Sequence, residues 1–195
     1  MKVIGVTGGV GAGKSTVLQY LEKAYGALLI VADQVGHEVM EPEAEAYEKI
    51  RLEFGSQVLG ADGRIDRNVL GELVFADAEK LKKLNAIVHP AVKSEILKRI
   101  RQAELAGRTL VVVEAALFLE EKYDAFCGET WYIYTDEEER RRRLQRSRGY
   151  SDERISQIFR NQKSHEEFVS RCTFTIDNNK TAEETCRQID KRMRR

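Results

Sequence analysis

Nothing in this chain limits its fold more than Gly8-Gly9-Val10-Gly11-Ala12-Gly13-Lys14-Ser15-Thr16, which directly follows the apolar run Val3-Ile4-Gly5-Val6. The segment satisfies G-x-x-x-x-G-K-[ST] in its proper setting, a short buried strand before it and an amphipathic helix after it. Glycines let the backbone curl until successive N–H groups point inward, where side chains would otherwise obstruct a phosphate. Lys14 adds a mobile ammonium for the β- and γ-phosphates, and the Ser15 hydroxyl is placed to ligate Mg²⁺. The positive end of the following helix faces the same anion. Residues Gly8 to Thr16 are therefore expected to bind a nucleoside triphosphate with Mg²⁺.

The rest of the chain reads as alternating strands and helices. A helix is expected over 14–25, burying Val17, Leu18 and Leu21 and stopping at Gly26. Ala27 to Ala32 form a buried strand ending at Asp33. Leu110-Val111-Val112-Val113 has the β-branched continuity of a strand covered on both faces and ends in Glu114. Trp131 to Tyr134 and Phe174 to Ile176 complete a sheet. Asp136 with Glu139 and Thr181 with Glu184 have capping-box spacing, Ser151 opens a helix after a break at Gly149, and His89-Pro90 opens another. Such alternation implies a parallel sheet with right-handed crossovers. The fold expected is α/β, a three-layer P-loop kinase core with a five-stranded parallel sheet, a helical substrate-binding insertion and a lid. The core would comprise 1–34, 109–138 and 166–195, the insertion 35–108 and the lid 139–165, all in one domain.

Composition narrows the function. The 195 residues carry 32 Lys plus Arg and 32 Asp plus Glu, so the basic excess usual in a nucleic-acid binder is missing. No apolar run approaches the ~18 residues of a membrane span, and the start of the chain leaves no room for a signal peptide. The cysteines, Cys127, Cys172 and Cys186, form neither a C-x-x-C pair nor an even set, as expected of reduced thiols in a cytoplasmic protein.

Several residues could carry chemistry. Asp33 could accept the proton of an attacking hydroxyl, or cap the next helix. Glu114 stands where P-loop proteins keep an acidic residue near Mg²⁺, or serves as a cap. Arg142 and Arg146, at i,i+4 spacing in the Arg140–Arg148 cluster, can meet one triphosphate from a hinged lid. The same arginines could instead form a solvated face paired with Glu137 to Glu139. His89 is open between packing and a role at the site.

With these residues placed, the chain resembles the dephospho-coenzyme A kinase family over nearly its whole length. The resemblance rests on the phosphate loop, Ala32-Asp33, Phe54-Gly55, Asp62-Gly63-Arg64-Ile65-Asp66-Arg67, Val74-Phe75, and Leu84-Asn85 leading to His89-Pro90. Later features are Arg142, Arg146, Gln162 and Ile176-Asp177-Asn178. Val31, Ala116 and Gly36-His37 depart from the usual family pattern. The resemblance implies ATP-dependent phosphorylation of the ribose 3′-hydroxyl of dephospho-CoA, the last step of coenzyme A synthesis. It also implies Asp33 as general base, Lys14, Arg142 and Arg146 as catalytic, Asn178 at the ATP site, and Arg67, His89 and Pro90 at the acceptor. ATP and dephospho-CoA would be the small-molecule partners of a monomer that binds neither nucleic acid nor membrane. A nucleoside or nucleotide kinase, and an ATPase switch that phosphorylates nothing, are the competing functions.

Overall fold

The computed structural model describes residues 1–194. Its elements in chain order are β1 (Lys2–Thr7), α1 (Lys14–Tyr25), β2 (Leu28–Val31), α2 (Ala32–Glu38), α3 (Glu45–Phe54), α4 (Arg67–Phe75) and α5 (Ala78–Leu105). They continue with β3 (Leu110–Glu114), β4 (Glu129–Tyr134), α6 (Glu137–Arg148), α7 (Asp152–Arg160), α8 (His165–Arg171), β5 (Phe174–Asp177) and α9 (Ala182–Met193). The chain divides into two compact units, Met1–Ile30 with Ala103–Arg195, and Val31–Gln102.

The first unit is organised by the sheet, whose strand order is β2-β3-β1-β4-β5. β1 lies parallel to β3 and β4, with Val6 opposite both Glu114 and Trp131, and β4 lies parallel to β5. Every residue of β3 is buried, which is what a strand covered on both faces requires and why Val repeats there. Gly5 in β1 has a packing reason to lack a side chain, since a Cβ there would lie 2.0 Å from the Phe118 ring. The loop from Gly8 to Gly13 leaves the carboxyl end of β1, the end where parallel sheets bind their ligands.

The helix ends largely follow local chemistry. Gly26 ends α1 in the left-handed conformation, as a Cβ-free residue does readily. Ser151 caps α7, and Thr181 with Glu184 forms a complete capping box on α9. Two expectations are corrected. Asp136 makes no capping bond: its carboxylate accepts from Tyr134 Oη, and Glu139 pairs with Arg142 at 2.7 Å and Arg143 at 2.9 Å. Two guanidinium groups take the Glu139 carboxylate and a phenol hydroxyl takes that of Asp136, leaving neither to the backbone N–H groups. His89-Pro90 opens no helix either, because α5 runs through Pro90 for 28 residues. Proline forfeits one helical hydrogen bond and crowds the preceding turn, yet the strong helix formers on both sides carry the helix past it.

The second unit shows what its sequence motif does locally. Asp62-Gly63-Arg64 makes a turn in which Asp62 Oδ1 accepts from Arg64 N at 3.1 Å, with Gly63 at φ 77°. Tyr47 Oη donates to Gly63 O at 2.5 Å, tying the turn to α3. Asp66 then caps α4, accepting from Asn68 N at 2.9 Å and Val69 N at 3.3 Å. Part of the Asp-Gly-Arg-Ile-Asp-Arg motif thus builds a turn and a helix start.

At the amino end of β4, burial alone would push the Glu129 carboxyl up. Hydrogen bonds from Lys2, Trp131 and Arg192 outweigh it and hold Glu129 at about 2, below its ordinary 4.5. The stabilisation this brings is complete above the unfolded value and disappears as pH falls from 4.5 toward about 2. Glu129→Gln should therefore cost on the order of 2–3 kcal/mol at pH 7 and progressively less as pH drops through that window, measured by denaturant unfolding. A penalty that does not change with pH would refute the assignment.

Candidate phosphate-binding and catalytic site

The loop owes its path to three glycines at positive φ: Gly8 at 149°, Gly11 at 83° and Gly13 at 87°. Two of them also admit a neighbour that a side chain would displace. A Cβ on Gly8 would fall 2.6 Å from Ile133 O, and one on Gly13 would fall 2.3 Å from Asn178 Nδ2. Backbone conformation and close approach therefore demand the same residue type.

Carbonyls of the loop are held both from within it, where Gly9 O accepts from Ala12 N at 3.1 Å, and from neighbouring elements. Lys14 Nζ donates to Gly8 O at 2.9 Å. Arg140 Nε donates to Val10 O at 2.9 Å. Ala12 O accepts from Asn178 Nδ2 at 2.7 Å and from Thr135 Oγ1 at 3.0 Å. A trans peptide points its N–H away from its C=O, so the Gly13 N–H turns to the opposite side of the loop from Asn178. Lys14 and Ser15 follow in the first turn of α1, where N–H groups have no acceptor within the helix. The result is an anion cradle at a helix N-terminus.

Lys14 Nζ also lies 3.5 Å from Glu114 Oε1, with both side chains largely buried. Register explains the pairing, because Glu114 ends β3 directly opposite Val6 of β1. Ser15 and Thr16 are exposed in the first turn of α1. Among the described residues no cluster of three or more His, Cys, Asp or Glu could cage a metal unaided. The hard oxygen donors of Ser15 and Glu114 suit Mg²⁺, which ordinarily completes its shell with phosphate oxygens and water.

The arginine helix divides by face. Arg140 and Arg143, three residues apart, turn toward the loop. The Arg140 guanidinium lies against Gly9, where a Cβ would stand 2.4 Å from Arg140 Cζ. It stacks on Phe159 at 4.3 Å and donates to Gln162 Oε1. Burial draws Arg140 below its ordinary value. Arg143 Nη2 donates to Asn178 O at 2.8 Å while pairing with Glu139. Arg142 and Arg146 lie on the solvent side, the Arg142 side chain being 68% exposed and paired with Glu139.

Sequence reasoning had no means to separate Arg140 and Arg143 from their neighbours, because a run of arginines does not reveal which face meets the loop. Thr135, Thr185 and the inward role of Asn178 were equally hidden. Asn178 is 6% exposed, and its amide is engaged by Ala12 and by Thr185 Oγ1 at 2.7 Å.

The remaining candidates lie in the second unit. Asp33 is exposed in the first turn of α2, while the N-cap position belongs to Val31. Of its two readings, capping does not hold. Arg67 is exposed at the start of α4, and His89 and the exposed Pro90 sit within α5.

Comparison with known proteins addresses both units together. Residues 2–184 match the family model described as dephospho-CoA kinase. The dephospho-CoA kinase of Carboxydothermus hydrogenoformans is 39% identical over 190 residues, spanning 97% of this chain and 91% of that protein. A solved protein of Thermus thermophilus superposes with a TM-score of 0.82 at 31% identity, over 99% of this chain and 96% of the other. The dephospho-CoA kinase of Campylobacter jejuni superposes with a TM-score of 0.73 at 26% identity, over 99% and 98% of the two chains. A match running from β1 into α9, through the phosphate loop and the second unit alike, means that the chain belongs to the dephospho-CoA kinase family.

Proposed function

We infer that the protein transfers the γ-phosphoryl group of ATP to the ribose 3′-hydroxyl of dephospho-CoA, yielding coenzyme A and ADP. One observation carries this reading: the family match spans residues 2–184 and so includes the second unit as well as the phosphate loop. A phosphate loop by itself would support any of several NTP-dependent activities.

The chemistry assigns roles to this chain's own residues. Loop N–H groups and Lys14 hold the β- and γ-phosphates and offset charge as it moves onto the leaving oxygen. Ser15 and Glu114 would hold Mg²⁺, which when bound supplies charge neutralisation to the phosphate oxygens. Asp33 accepts the proton of the 3′-hydroxyl as its oxygen bonds to the γ-phosphorus. The bond from that phosphorus to the β–γ bridging oxygen breaks, and ADP leaves. Arg142 and Arg146, on the solvent side of α6, are charges that closure of a lid over 139–165 would bring to the nucleotide. The second unit, with Arg67, His89 and Pro90, takes the acceptor. Remote contacts along so long a substrate can orient the reacting hydroxyl.

The partners expected are two small molecules acted on by a monomer, with no nucleic acid or membrane involved. A formal net charge of zero supports the first exclusion. Among the described residues no helix is long and apolar enough to cross a membrane.

ADP release across a panel of acceptors tests the assignment. Dephospho-CoA should exceed adenosine and AMP by at least about 10²-fold in kcat/KM, because truncated acceptors forfeit the binding energy used for orientation. Its product should gain one phosphate and lose the free 3′-hydroxyl. Equal turnover with a nucleoside monophosphate would indicate a nucleotide kinase, and ATP hydrolysis indifferent to acceptor would indicate a switch.

Asp33→Asn preserves shape but cannot take the proton. It should lower kcat by roughly 10²–10⁴-fold with little change in ATP affinity, the range a general base supplies. Weakened Mg·ATP binding at unchanged kcat would instead give Asp33 a metal-linked role.

A further inference from the structure

A buried polar network in the first unit lies beneath the phosphate loop. Asn178 follows β5 and is 6% exposed; Thr185, in the second turn of α9, is 2% exposed; Thr135, after β4, is 3% exposed. Ala12 O accepts from Asn178 Nδ2 at 2.7 Å and from Thr135 Oγ1 at 3.0 Å. Thr185 Oγ1 donates to Asn178 Oδ1 at 2.7 Å. The main chain of Asn178 is fixed as well: its N–H donates to Tyr134 O at 2.8 Å, and its carbonyl accepts from Arg143 Nη2 at 2.8 Å.

The chemistry leaves Asn178 one orientation. A carbonyl oxygen only accepts, so the amide nitrogen must face Ala12 and the amide oxygen must face the Thr185 hydroxyl. Buried polar groups of this kind are costly when unpaired, and here each has its partner. None of these side-chain atoms points at the anion cradle; they grip the back of the loop.

We propose that Asn178, held by Thr185, is a positioning residue for the phosphate loop, setting the Ala12–Gly13 peptide so that its N–H faces the nucleotide phosphates. The inference rests on the loop binding ATP and adds what keeps it in binding form. The physical basis is the rigid trans peptide: fixing the Ala12 carbonyl on one side fixes the Gly13 N–H on the other. Gly13, at φ 87°, has the freedom to rotate elsewhere if the carbonyl is released. A Cβ at Gly13 would also collide with Asn178 Nδ2 at 2.3 Å, so glycine and asparagine are a matched pair. The anchor sits on α9 and the β5–α9 connection, which thereby bears on nucleotide affinity through the backbone of the loop.

The test compares Asn178→Asp and Thr185→Val with the unaltered full-length protein, by calorimetric titration of ADP and by KM for each substrate. Asp keeps the size of Asn but puts an acceptor against the Ala12 carbonyl. Asn178→Asp should weaken ADP binding and raise KM for ATP by about 10-fold, with KM for dephospho-CoA changed less than about 3-fold. Thr185→Val removes one hydroxyl from an intact fold and should act in the same direction by about 3-fold, as one lost net hydrogen bond would. Thermal unfolding accompanies each titration. Lower stability with unchanged ADP affinity in both variants would make the network structural only and overturn the proposal. Equal loss of affinity for both substrates would do the same. Absence of ADP binding by the unaltered protein would overturn the ATP reading itself, a result separable from the other two.

Discussion

Everything at this site depends on one backbone constraint: a phosphate loop must turn its N–H groups inward, and therefore its carbonyls outward. Three glycines at positive φ make the path possible, but conformational freedom alone would leave the loop disordered in its choice of path. The outward carbonyls are what select it. Lys14 holds Gly8 O, Arg140 holds Val10 O, and Asn178 with Thr135 holds Ala12 O. The holders come from α1, α6, the residue that follows β4 and the β5–α9 connection, which converge on a single short loop. Pre-organisation of this kind places donors before charge develops, which is where electrostatic catalysis obtains most of its effect.

The sheet gives that loop its neighbours. Parallel pairing of β1 with β3 puts Glu114 across from Val6, and hence the one carboxylate of β3 beside the loop's lysine. The pair at 3.5 Å is largely removed from water, where an isolated charge of either sign would be unfavourable. Lys14 therefore has two jobs. It closes the loop on itself through Gly8 O, and it pairs with Glu114 across the end of the sheet. On the other flank, β4 delivers Thr135 and α6, and β5 delivers Asn178, so the strand order is itself part of the site's construction.

Much of this was legible in the amino-acid sequence, and for clear reasons. The phosphate loop, α1 with its stop at Gly26, the all-buried β3 and the capping box at Thr181 are decided by residues adjacent in the chain. The features that read differently in three dimensions turn on which of several nearby partners wins, or on which face of a helix meets the loop. Asp136 and Glu139 have capping spacing, but Tyr134 and two arginines claim their carboxylates. Pro90 looks like a helix start, yet α5 extends well before it on Ala, Lys and Leu. Among the arginines the sequence singles out the i,i+4 pair Arg142 and Arg146, whereas Arg140 and Arg143 are the ones turned toward the loop. Gly9 and Phe159 hold the Arg140 guanidinium, and neither residue advertises that function. Asn178 could be associated with ATP by family likeness, but its grip on Ala12 is visible only in three dimensions.

The central claim is that the cradle exists as a set of inward N–H groups before nucleotide arrives. Amide NMR of the full-length protein during titration with ADP tests it most directly. The amide resonances of Gly13, Lys14 and Ser15 should move furthest, move downfield as N–H groups do on meeting phosphate oxygen, and share one dissociation constant. Loop amides that stay in place while the main shifts occur elsewhere in the chain would contradict the account.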